Sequence, residues 1–182
     1  IHQPHIEVFG VGGPALRGVG MQILVDTATI AGMGLFEAVD KIRAILRTYR
    51  ELTALLRTDP PDLLVLIDFP EFNLRLAKIA KRVGVRVFYY ISPQVWAWKR
   101  GRISRMAKIL DRMLCLFPFE VPLYRNSGLD ARFVGHPIAE QLAGLRGTCG
   151  RDEQLVALLP GSRRREVEKI FPVMLGAAIR SL

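Results

Sequence analysis

The sequence predicts an α/β fold: a Rossmann-like sandwich of parallel strands with helices on both faces, followed by the first βα unit of a second domain of the same kind. Three observations predict it. Short apolar runs of strand length alternate along the chain with longer segments of helical period. The apolar runs lack in/out polar alternation, as expected of parallel strands covered on both sides. Half of the 182 residues are hydrophobic, enough to bury a sizeable core. Right-handed crossovers are expected between the strands, and no internal repeat is visible.

The first run, Ile6 to Phe9, enters "VFGVGGPALRGVG" (8–20), where Gly10, Gly12, Gly13 and Ala15 spell the dinucleotide fingerprint G-x-G-x-x-A. That fingerprint needs a crossover helix after the glycines and an acidic residue about 20 positions on. Gly18 and Gly20 interrupt any helix after Pro14, and Asp26 comes too soon, so a nicotinamide site is not expected. The glycines read instead as a tight turn at a strand's carboxyl end. Gly12 and Gly13 there either face a ligand or serve the turn alone.

Residues 35–57 carry Leu35, Val39, Ile42, Leu46, Tyr49, Leu52 and Leu56 at helical spacing, a stripe that periodicity would bury, and "DPPD" stops the helix. "LLVLID" (63–68) reads as a fully buried strand. A helix over 73–84 follows, with Asn73 as N-cap and Gly84 as its stop. Then come a strand at 85–92, a basic helix at 99–112, a strand at 113–118, a short helix within 119–128 and a last strand in "ARFVGHP" (131–137). Residues 1–137 therefore read as one domain, incomplete at its start, and 138–153 as a linker. Residues 154–182 begin a second domain as strand, turn and helix, which Pro172 should kink or divide. With no initiator Met and a strand at its very start, the chain reads as a piece of a longer protein.

The formal charge is +9, and residues 71–112 alone supply it, with eleven Lys/Arg against Glu71 and Asp111. Such a face suits phosphates of nucleic acid, anionic lipid or a phosphorylated substrate, or is simply a solvated helical surface. No apolar run approaches the ~20 residues that span a bilayer. Cys115 and Cys149 do not look paired, and neither a Cys-x-x-Cys nor a His cluster is present. A reducing cytoplasm fits, and a zinc site is not expected.

Four stretches could carry chemistry. Asp68 ends a strand at the ligand-facing edge, where a carboxylate can orient or deprotonate a sugar hydroxyl, or merely cap the next turn. In "YYISPQVWAWKRGR", Ser92 leaves a strand, and Trp96 and Trp98 lie beside Lys99, Arg100 and Arg102. Tryptophan beside cations suits a sugar face, a lipid interface or a stacked base, or the rings pack against their own loop. In "LLPGSRRREVE", Gly161, Ser162 and Arg163 precede a helix whose free N–H groups favour an anion; the plainer alternative is an ordinary βα turn. His136, in "FVGHP", either lines an interdomain cleft or is a hydrogen-bonded structural histidine.

Taken in order, "GVGGPALRGVG", "AGMGLFEAV", "LIDFPEFNLRLAK", "YYISPQVWAWKRGRI", "FPFE", "FVGHP" and "LLPGSRRREVE" resemble the lipid-A-disaccharide synthase family, bacterial glycosyltransferases of the two-domain GT-B fold. The resemblance covers nearly the whole chain. It implies transfer of 2,3-diacylglucosamine from its UDP conjugate to 2,3-diacylglucosamine 1-phosphate, giving UDP and a β-1,6-linked disaccharide 1-phosphate. It also implies inversion of the anomeric centre, with no metal and no cofactor. Asp68 matches the family's essential aspartate, and Arg163 an essential arginine expected at the donor diphosphate. The positions matching its membrane-facing helix include Phe36, Val39, Ile42, Ile45 and Leu46. A peripheral place on the anionic, cytoplasmic face of the inner membrane is thus implied, and nucleic acid is not an expected partner.

Two parts of the family pattern are missing: the opening strand with its Gly-Glu-x-Ser-Gly-Asp segment, and most of the uridine-binding domain. The chain alone is therefore expected to be inactive. Another nucleotide-sugar enzyme of the same fold, or a nucleic-acid-binding module using the basic face, are the competing readings.

Overall fold

The computed structural model describes residues 6–28, 37–95, 100–145, 150, 152 and 155–181, and divides the chain into two compact units, Ile1–His136 and Pro137–Leu182. In the first unit, strand β1 (Phe9–Gly12) pairs in parallel with β2 (Gln22–Asp26) across the short helix α1 (Pro14–Gly18). Strands β3 (Leu63–Ile67), β4 (Arg86–Tyr90), β5 (Arg112–Cys115) and β6 (Asp130–Phe133) form a four-stranded parallel sheet in sequence order. Helix α2 (Glu37–Thr58) precedes β3, and α3 (Pro70–Arg82) joins β3 to β4. A 3-10 turn (Arg100–Arg102) and α4 (Ile103–Ala107) join β4 to β5, and α5 (Glu120–Arg125) joins β5 to β6. The chain is thus α/β, with parallel sheets flanked by helices.

The register of the larger sheet explains where its core sits. Leu66, Tyr89, Met113 and Ala131 are cross-strand partners and are at most 3% exposed. They pack with Leu56 of α2, Leu76, Ala77 and Ala80 of α3, Met106 of α4 and Tyr124 of α5. Each large side chain so buried contributes roughly 1.5–3 kcal/mol before entropy is counted. The other face is different. Val65 and Ile67 remain 49% and 51% exposed. Their neighbours in register include an Arg112–Asp130 ion pair at 2.7 Å, with the Arg112 guanidinium 4.9 Å from the centre of the Phe88 ring. "LLVLID" is therefore not buried on both sides among the described residues, and burial alternates along β4 and β5.

Several boundaries differ from expectation for local reasons. Helix α3 starts at Pro70, with Phe69 at the N-cap, so Asn73 lies inside its first turn and caps nothing. Proline at the first helical position costs no hydrogen bond and presets φ. Gly84 follows the helix end as expected. Helix α4 is shorter than 99–112 because the chain joins the sheet early: the Asp111 N–H already donates to the Val87 carbonyl. Beyond His136, α6 (Pro137–Ala143) occupies the start of the expected linker. Residues 155–160 pair with no strand among the described residues, since a lone parallel strand has no ladder to join. Helix α7 (Arg164–Ser181) runs through Pro172 without being divided.

Asp111 ties the lower edge of the sheet together. It accepts from the Val87 N–H at 2.8 Å and from the Lys81 ammonium at 2.5 Å. Burial pushes its carboxyl up, but Lys81, the Val87 N–H and the charge of Arg86 outweigh this and hold it below the ordinary range. A carboxyl lowered on folding adds stability above its unfolded pKa, about 3.9, and loses it as pH falls through the folded value. Asp111→Asn is expected to cost about 1 kcal/mol at pH 7 and to flatten the loss of stability below about pH 4. Urea titrations of both proteins between pH 3 and pH 7 check this; parallel curves would remove Asp111 from the acid response.

Candidate functional site

Strand β3 ends where the chain becomes strained. Among the described residues three non-glycine residues have positive φ: Asp68 (50°), Phe69 (41°) and Ile91 (66°). All three lie at the carboxyl ends of the neighbouring strands β3 and β4. A left-handed conformation costs such residues roughly 1–2 kcal/mol each, more for a β-branched one. Strain of this kind persists only where surrounding contacts hold it. Here the Asp68 N–H donates to the Tyr90 carbonyl at 3.2 Å. The Tyr89 hydroxyl donates to the Asp68 carbonyl at 2.5 Å, and the Asn73 amide donates to the carbonyls of both Ile67 (3.1 Å) and Asp68 (2.7 Å). Phe69 stacks on Phe72 at 5.6 Å, which in turn meets the edge of Tyr49. Asp68 is exposed, and its carboxylate makes no hydrogen bond or ion pair among the described residues. A carboxylate so presented at the sheet edge is placed to accept a proton from a bound hydroxyl.

The end of β4 turns inward. Ser92 is 7% exposed, and its hydroxyl has no hydrogen-bond partner among the described residues. It lies near the buried Cys115 thiol and Tyr124 hydroxyl, beneath the edge rather than on it. Burial first, and the Glu120 carboxylate second, push the Cys115 thiol up to about 11 and raise Tyr124 as well. An unreactive thiol results. Glu120, 2% exposed, accepts the Phe117 N–H at 3.1 Å, and Tyr124 donates to the Pro93 carbonyl at 3.0 Å. Trp96 and Trp98, with Lys99, lie outside the described residues, as does Cys149. Both acids of the basic segment are engaged, Glu71 by Arg102 at 2.6 Å and Asp111 by Lys81.

At the ends of β5 and β6 an aromatic group that sequence reasoning missed gathers at the same edge. Phe117 lies 5.7 Å from Phe119 and 6.0 Å from His136, and the Val134 N–H donates to the Cys115 carbonyl. Phe119 and Phe133 are each 53% exposed. Phenylalanines two positions after a strand's last buried residue, as at Phe117 and Phe133, were the available signal.

The glycine cluster does build a βαβ unit, contrary to expectation, with α1 fitting between β1 and β2 in only residues 13–21. Two of its glycines lie close against neighbouring side chains. A Cβ at Gly12 would meet Leu16 and Ile23 at 2.8 and 2.9 Å, and one at Gly13 would meet the Thr27 hydroxyl at 2.9 Å. Asp26, at the end of β2, is held by Arg17 at 3.0 Å and by the Ala28 N–H. Along α2, Thr48 and Leu56 are buried and Tyr49 and Leu52 pack on the core, while Ile42 and Leu46 are 58% and 48% exposed and Ile45 is half-buried. Periodicity therefore misplaces Ile42 and Leu46: the stripe is buried only in the helix's second half. Phe36 and the Val39 side chain lie outside the described residues.

In the second unit, Arg163 is the residue before α7, and its carbonyl accepts from the N–H groups of Glu166 and Val167. Gly161 has φ +123°, and a Cβ there would lie 2.7 Å from the Glu166 carboxylate, so only glycine fits. That carboxylate pairs with the Arg163 guanidinium at 3.2 Å; Arg163 is 83% exposed and Ser162 is exposed beside it. Among the described residues no cluster of three His, Cys, Asp or Glu could hold a metal, and no helix is long and apolar enough to cross a membrane.

A family model described as lipid-A-disaccharide synthetase matches residues 1–181. Similar curated proteins are lipid-A-disaccharide synthases from Geobacter sulfurreducens, 46% identical over 96% of this chain, Syntrophus aciditrophicus, 46% over 97%, and Myxococcus xanthus, 41% over 98%. The chain spans about half of their length, 48%, 48% and 49% respectively.

Proposed function

The chain belongs to the lipid-A-disaccharide synthetase family, of GT-B fold, and from that premise we propose that the protein carrying it transfers 2,3-diacylglucosamine from its UDP conjugate to 2,3-diacylglucosamine 1-phosphate. The observation that carries the proposal is Asp68, a carboxylate without a partner among the described residues, presented on a strained turn at the carboxyl edge of the sheet. Ligands of open α/β sheets approach that edge.

In this reading Asp68 takes the proton from the acceptor's attacking hydroxyl as the bond to UDP breaks, and the anomeric centre inverts in one displacement. No metal and no cofactor is required. The Gly161–Arg163 turn receives the donor diphosphate. Free N–H groups at the start of an 18-residue helix favour an anion, and a guanidinium offers a planar fork to two phosphate oxygens. Arg163 must then leave Glu166, an exchange of partners at an exposed site with little to oppose it. Gly12, Gly13 and His136 remain candidates for the acceptor side, together with Trp96 and Trp98.

We also place the protein peripherally on the anionic cytoplasmic face of the inner membrane. Ile42 and Leu46 expose apolar surface on α2, and the 71–112 segment carries eleven Lys/Arg against two acids. The nucleic-acid reading has no support beyond that charge.

In the full-length protein carrying this sequence, Asp68→Asn should cut turnover by about 10²–10⁴-fold, typical of a lost acid–base group, with little change in donor binding. Near-normal turnover would reduce Asp68 to a structural residue. Arg163→Lys should weaken UDP and donor together, because the planar fork is lost, while Arg165→Lys serves as the exposed control. Equal behaviour of the two variants in UDP titrations would put the diphosphate elsewhere. Changing Ile42 and Leu46 together to Ser should lower sedimentation with anionic liposomes and leave the melting temperature unchanged; undiminished binding would move the membrane contact off α2.

A further inference from the structure

We infer that Tyr89 and Asn73 are positioning residues for Asp68, fixing the direction of its side chain by clamping the two peptide planes that flank it. The inference rests on the reading of Asp68 as the base.

The direction of a Cα–Cβ bond follows from the orientation of the peptide planes on either side of it. On the near side of Asp68, its N–H donates to the Tyr90 carbonyl at 3.2 Å and the Ile67 carbonyl accepts from the Asn73 amide at 3.1 Å. On the far side, the Asp68 carbonyl accepts twice, from the Tyr89 hydroxyl at 2.5 Å and from the Asn73 amide at 2.7 Å. A carbonyl oxygen has two lone pairs, and both are used. The Asn73 amide bridges the two planes, so neither turns without losing a bond to it.

This clamp opposes a definite alternative. At φ 50° Asp68 sits in a region that L-residues avoid, and Phe69 beside it, at 41°, does too. Released, the turn would relax to negative φ and carry the carboxylate to another position. Several hydrogen bonds at about 1 kcal/mol each are comparable with the combined cost of two left-handed residues.

Tyr89 cannot touch a substrate. It is 0% exposed and lies in the core row with Leu66 and Met113. A phenylalanine would pack there as well, so the hydroxyl is what needs explaining, since a buried hydroxyl is costly without a partner. Its partner is the carbonyl of Asp68, whose carboxylate faces out at this edge. Burial chiefly, and the charge of Asp68 in addition, raise the phenol well above its ordinary value. It therefore stays a donor across the working pH range.

The test is a double-mutant cycle in the full-length protein. Tyr89→Phe should lower kcat by about 10–100-fold, the scale of a misplaced catalytic group, with KM for both substrates nearly unchanged and the melting temperature lowered only by the few degrees that one lost hydrogen bond costs. In the Asp68→Asn background the same change should lower the residual rate by less than about twofold, because there is no base left to position. Equal loss in both backgrounds, or an unchanged kcat, would overturn the inference. If Tyr89→Phe does not fold, Asn73→Ala enters the same cycle with the same two outcomes. If Asp68→Asn by itself keeps its turnover, the base assignment has failed and the positioning role falls with it.

Discussion

Four parallel strands laid side by side in sequence order constrain everything else in the first unit. Each crossover between neighbouring parallel strands is right-handed in nearly all proteins, so successive crossovers in one direction return on the same side. Helices α3, α4 and α5 accordingly contribute to one core, with Leu66, Tyr89, Met113 and Ala131 as its sheet face. The same order aligns the carboxyl ends of all four strands along one edge. Asp68, Ile91, Leu116 and Val134 follow those ends in turn. A chain that must leave four adjacent strands at one edge gathers its loops there, and loops are where side chains are free of packing duty.

The alternation of strands and helices was legible because each element has a local signal: an apolar run, a helical period, a stop. Burial on the second face of the sheet was not. "LLVLI" looks the same whether one side or both are covered, and strand order decides which, a non-local property. Helix α2 shows a related limit. Its apolar stripe is continuous in sequence, yet Leu56 is buried while Ile42 is 58% exposed, because the core extends only along the second half of the helix. Resemblance to a family marked Ile42 and Leu46 as outward where periodicity marked them inward, and the two signals measure different things.

The site divides in the same way. Asp68 was legible as a carboxylate after a buried strand, and "GSR" as a turn before a helix. Asn73 was visible too, but in a different role. A short polar residue before a helical run reads as a cap, and only the start of α3 at Pro70 reveals that its amide reaches back to the strand. Tyr89 carried almost no signal, since a tyrosine in an apolar strand is ordinary and its hydroxyl's partner lies 21 residues away in sequence. Glu166, which meets both Gly161 and Arg163, was hidden as one charge in a mixed helix.

Strain and support at the edge belong together. A residue after a strand can leave in the β region at no cost, so three exceptions to that choice, at Asp68, Phe69 and Ile91, call for compensation nearby. The compensation comes from beneath. Tyr89 reaches the Asp68 carbonyl from the core, and Tyr124 reaches the Pro93 carbonyl two residues past Ile91. Both phenols are fully buried, and both donate to backbone carbonyls. Backbone carbonyls do not titrate, so the hydrogen bonds that hold this edge do not depend on the charge of an acidic partner. The position of Asp68 is thus set by groups other than its own carboxylate.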